Sequence, residues 1–65
     1  MIIYELVLIQ GDSKMTILFS NVKKAFKSGY EKLDACDEVY INEYCDLDGK
    51  FIKIGYPKKL GKPQK

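Results

Sequence analysis

The first nineteen residues constrain this chain most. MIIYELVLIQ is followed by the polar Gly11-Asp12-Ser13-Lys14 and then by Met15-Thr16-Ile17-Leu18-Phe19. This pattern predicts a β-hairpin with strands from about Ile2 to Ile9 and from about Met15 to Phe19, joined by residues with turn chemistry. Side chains alternate along a strand, so Ile2, Tyr4, Leu6 and Leu8 share one face while Ile3, Glu5, Val7 and Ile9 share the other. A strand apolar on both faces belongs in the middle of a sheet.

Ser20 has the hydroxyl of a helix N-cap, and Asn21 serves if the boundary moves by one residue. Val22, Ala25, Phe26, Gly29, Tyr30 and Leu33 then form the apolar stripe of a helix reaching about Asp34. Gly29 costs such a helix roughly 1 kcal/mol relative to alanine. The in-phase Tyr30 and Leu33 argue that the helix continues through it and comes close to the sheet there.

A third strand is expected from about Glu38 to Cys45, with Val39, Ile41 and Cys45 opposite Tyr40, Asn42 and Tyr44. Asp46-Leu47-Asp48-Gly49 is the strongest turn signal in the chain. A fourth strand, Lys50 to Tyr56, is expected to end at Pro57, which has no amide for a ladder. The fold class is therefore α+β: ββαββ, a small four-stranded antiparallel sheet in the order 2-1-3-4 with one helix packed on one face. Residues 1–57 form the single domain of this reading, and 58–65 a basic disordered tail.

At 65 residues, the chain buries a limited share of its surface and needs a supplement to its core. Cys36 and Cys45 are its only cysteines and it has no histidine, so no zinc pattern exists. The expectation is two reduced, half-buried thiols. Self-association is then the expected supplement. No stretch is long enough to span a membrane as a helix and no secretory signal is evident, which predicts a cytoplasmic protein without a membrane partner.

All eleven basic residues are lysine. With the many Ile and Tyr residues, this is the composition expected of an A/T-rich genome, as in a Gram-positive bacterium or its phage. The charge is unevenly placed. Up to Tyr56 seven lysines stand against nine carboxylates, and four lysines follow with no acid. A slightly acidic body with a basic tail is a different object from a basic domain.

Catalysis has little material. No imidazole is present to act as a base near neutral pH, and no glycine-rich phosphate loop follows a strand. Cys36, after a helix, lies at the wrong pole for thiolate activation. Aligning Asp46-Leu47-Asp48-Gly49 with a calcium loop puts Tyr44 and Gly55 where the first and last carboxylate ligands belong, so a turn is the better reading. No catalytic, cofactor or metal residue is assigned, and the protein is expected not to be an enzyme.

One helix cannot cover two apolar sheet faces. The expected function is thus a small non-enzymatic protein-binding module, homodimeric, with an interface drawn from Ile3, Val7, Ile9, Leu18, Tyr40 and Tyr44. Its size and composition are those of a phage or mobile-element accessory protein that modulates or inhibits a host factor. The competing class is a nucleic-acid-binding accessory protein using Lys23, Lys24, Lys27, Lys58, Lys59 and Lys62 on phosphate. The missing arginine and the acids of the third strand weigh against it.

Overall fold

In the computed structural model, which describes residues 1–61, the elements run β1 (Ile2–Gln10), β2 (Ser13–Phe19), α1 (Val22–Glu31), β3 (Glu38–Leu47) and β4 (Lys50–Leu60). The four strands form one antiparallel sheet in the order β2-β1-β3-β4. The doubly apolar β1 is central, as its side chains require. Leu6 pairs with Ile17 on one side and Ile41 on the other, which places all three on one face.

Helix α1 packs on that face. Leu6, Leu8, Ala25, Val39, Ile41 and Leu60 form the buried core, with Tyr4, Phe19, Phe26, Leu33 and Cys36 packed against it. The cap is Asn21 rather than Ser20: its Oδ1 accepts from the Lys24 amide at 3.1 Å. The helix does run through Gly29, where an added Cβ would meet Leu60 Cδ1 and come within 3.1 Å of Leu6 Cδ1. Glycine is needed there for close approach of helix to sheet. The molecule's shortest extent is 18 Å, which leaves room for the sheet and one helical layer only.

The β3–β4 turn is tight because Asp48 and Gly49 both take positive φ, 52° and 77°, the signature of a two-residue hairpin loop. Past that turn the structure corrects one expectation. β4 does not end at Pro57 but continues to Leu60, which is buried, so the tail assigned to 58–65 begins too early. The reason lies in the register. Pairing steps from Glu43↔Ile54 to Ile41↔Lys58, leaving Gly55, Tyr56 and Pro57 opposite Asn42 as a bulge. Gly55 takes φ +67° there, and Pro57 sits where no ladder bond is required of it. Lys62 and Lys65 of the expected tail lie outside the described residues.

Candidate sheet-face interface

Strand pairing decides which side chains share the face that α1 leaves open. In the antiparallel register Ile3 faces Tyr44, Glu5 lies between Leu18 and Asn42, Val7 between Thr16 and Tyr40, and Ile9 between Lys14 and Glu38. From β4, Lys53 joins beside Tyr44, Phe51 beside Asp46 and Lys59 beside Tyr40. All six residues expected to form an interface, Ile3, Val7, Ile9, Leu18, Tyr40 and Tyr44, therefore stand on one face, turned away from the helix.

They are not equally available. Leu18 is 65 % exposed, while Ile3, Ile9, Tyr40 and Tyr44 are half-buried and Val7 is only 1 % exposed. Val7 is thus covered within the sheet itself and adds almost no area to any contact. Phe51, at 63 % exposure, supplies what Val7 does not. Only cross-strand register shows that Phe51 and Lys53 join this face, beside Asp46 and Tyr44.

The face has two halves. At one end Ile3, Glu5, Leu18, Tyr44 and Phe51 line an open depression of about 210 Å³. Toward the other, Lys14, Tyr40, Lys53 and Lys59 surround a more polar basin. Between them Glu5 accepts from Asn42 Nδ2 at 3.1 Å and from Tyr44 Oη at 3.2 Å. Burial, then the Glu5 charge and the hydrogen bond to it, hold the Tyr44 hydroxyl above its ordinary pKa. This network fixes the Tyr44 ring between the two halves. Asn42 is 6 % exposed, and its Oδ1 has no hydrogen-bond partner among the described residues.

The lysines of the competing reading are not gathered on one surface. Lys23, Lys24 and Lys27 are exposed on α1. Lys58 is on the helix side of the sheet, 2.8 Å from Glu43, which holds its ammonium pKa above the usual value; Lys59 is on the open face, 3.4 Å from Glu38. Lys62 lies outside the described residues. On the open face Lys14, Lys53 and Lys59 are matched by Glu5, Glu38 and Asp46, so this face carries no excess of positive charge.

Cys36 and Cys45 are half-buried free thiols. Among the described residues no three potential ligands cluster to hold a metal ion, and no helix is long and apolar enough to cross a membrane. Comparison of the chain with protein families, curated proteins and solved structures gives no match. The site must be read from its own chemistry.

Proposed function

We propose that this is a non-enzymatic protein-binding module whose open sheet face receives a partner. The observation that carries the reading is the pair of large apolar side chains, Leu18 and Phe51, left about two-thirds exposed around a depression floored by Ile3 and Tyr44. Apolar side chains grouped in this way on so small a domain mark a contact surface. Balanced charge on the same face favours a protein over a polyanion.

The same reading takes the molecule as a homodimer acting in the cytoplasm. Small size and a lysine-only basic complement fit an accessory protein of a phage or mobile element that modulates or inhibits a host factor. A photo-crosslinking amino acid at Phe51 tests the surface, with the exposed Tyr30 of α1 as the control position. A discrete protein captured from Phe51 and not from Tyr30, and bound less by Phe51→Glu, is the expected result. Equal capture at both positions, or none at Phe51, removes the reading.

A second reading is supported by the basin itself, where Tyr40 and Tyr44 lie among Lys14, Lys53 and Lys59. Stacking on tyrosine with lysine on phosphate is how single strands are held without sequence preference. It predicts retardation of single-stranded RNA or DNA that weakens steeply with salt and falls in Lys53→Glu. No retardation at low salt ends it.

A further inference from the structure

The two edges of the sheet are built differently, and the difference bears on how copies of this chain meet. β4 carries a bulge at Gly55–Pro57 and the lysines Lys50, Lys53, Lys58 and Lys59. Proline, lysine and bulges are what keep an edge strand from pairing with another chain. β2 has none of these except Lys14 near its start: seven residues, SKMTILF, with an unbroken register to β1 and an unpaired outer side.

Its unburied apolar side chains also stand on both faces of the sheet. Met15, 60 % exposed, and Ile17, 36 % exposed, are on the helix side; Leu18, 65 % exposed, is on the open side. A partner laid on either face covers only one of these sets. A strand added alongside β2 covers both, because its own side chains alternate across the same two faces.

We infer that β2 is the self-association edge: two copies pair antiparallel through Ser13–Phe19, making one continuous eight-stranded sheet from two of four. In a two-fold register about Thr16, Met15 falls beside the second copy's Ile17, and Lys14 beside its Leu18. The only charges of the two strands then stand at opposite ends, whereas a parallel arrangement would bring them side by side. One strand pair buries less than the roughly 800 Å² per partner of a standard interface. The remainder is available next to it. A groove of about 310 Å³ runs between β2 and the end of α1, lined by Leu8, Met15, Ile17, Ala35 and Cys36. Pairing at the edge brings the second copy's helix-side residues over it. The rest of the open face, around Ile3, Tyr44 and Phe51, stays free for a different partner.

This inference rests on the homodimeric part of the proposed function, and one experiment separates the two. Sedimentation equilibrium is run on the wild type and on Met15→Lys, Leu18→Lys and Phe51→Lys, three positions exposed enough for the monomer to tolerate the change, with circular dichroism confirming the fold. The wild type is expected at twice 7.5 kDa. Met15→Lys and Leu18→Lys, on opposite faces of β2, are each expected to raise the dimer dissociation constant at least about tenfold, since symmetry applies each change twice. Phe51→Lys is expected to leave it unchanged. Amide exchange in residues 14–18 is expected to slow as concentration rises. A monomeric wild type overturns both the homodimer and the edge. A dimer weakened by Leu18→Lys and Phe51→Lys but not by Met15→Lys overturns the edge alone and places the contact on the open face.

Discussion

β2 and β4 occupy equivalent places at the two margins of one sheet, yet only one is finished as a margin. β4 is bent by its bulge, interrupted by Pro57 and lined with lysine, and its last residue turns back into the core as Leu60. β2 is straight in register, nearly uncharged, and holds apolar side chains on both of its faces in water. The lesson is that exposure has two meanings in a small domain. On β4 the exposed apolar side chains, Phe51, Ile52 and Tyr56, share the strand with a bulge, a proline and lysines that obstruct a further strand. On β2 they are those that a neighbouring chain would bury.

The contrast between the two edges is open to test by substitution. The largest effect is expected from Leu60→Ala, which empties a buried site between Gly29 and Val39 and should cost about 2–5 kcal/mol in urea denaturation. Leu18→Ala on the other edge, at 65 % exposure, should stay within about 0.5 kcal/mol at concentrations where the chain is monomeric. Equal costs at the two positions would erase the distinction between the strands.

Gly29→Ala comes next. The gain in helix propensity of roughly 1 kcal/mol is opposed by overpacking against Leu60 and Leu6, typically 1–3 kcal/mol. A net loss of about 1 kcal/mol in the same denaturation assay is expected, and a gain would mean that the end of β4 yields easily.

Stripping β4 of its protection gives a smaller effect on association. Pro57→Val combined with Lys58→Thr and Lys59→Thr should add concentration-dependent association in light scattering, which the parent β4 edge resists. The two ion pairs lost, Lys58–Glu43 and Lys59–Glu38, are at the surface and contribute little to stability.

The smallest expected effect is the pH dependence due to Tyr44. Its folded pKa is raised, so its contribution is complete below the ordinary tyrosine pKa of about 10 and is lost as pH climbs through that value to the folded one. Tyr44→Phe should flatten the alkaline fall in stability, with absorbance titration at alkaline pH reporting the missing late-titrating tyrosine.

Much of this architecture was readable in particular residues. The two apolar faces of Ile2–Gln10 required a central strand, and the structure has β1 between β2 and β3. The stripe located the helix and, through Ala25, Phe26 and Gly29, the face it buries, although α1 stops at Glu31 rather than near Asp34 and leaves Val22 and Tyr30 exposed. Asp48-Gly49 marked the second hairpin. Pro57 misled, because a proline in a bulge on an edge strand breaks no ladder, and a polar run of lysines hid the buried Leu60 behind it. Val7 misled in a different way: apolar alternation says which face a side chain takes, not whether its neighbours in the sheet already cover it. Phe51 and Lys53 were missed as members of the open face, since only the hairpin register shows which part of β4 stands beside Tyr44 and Asp46.

The order of residues by itself determined the element sequence, the central place of β1 and the identity of the helix face, because each follows from a local period of 2 or 3.6 and from turn chemistry. Only the tertiary structure decided how far β4 runs, which of six face residues remain accessible, and which edge is left bare. Those depend on register and on the reach of one ten-residue helix across four strands, quantities fixed by contacts between segments far apart in the chain.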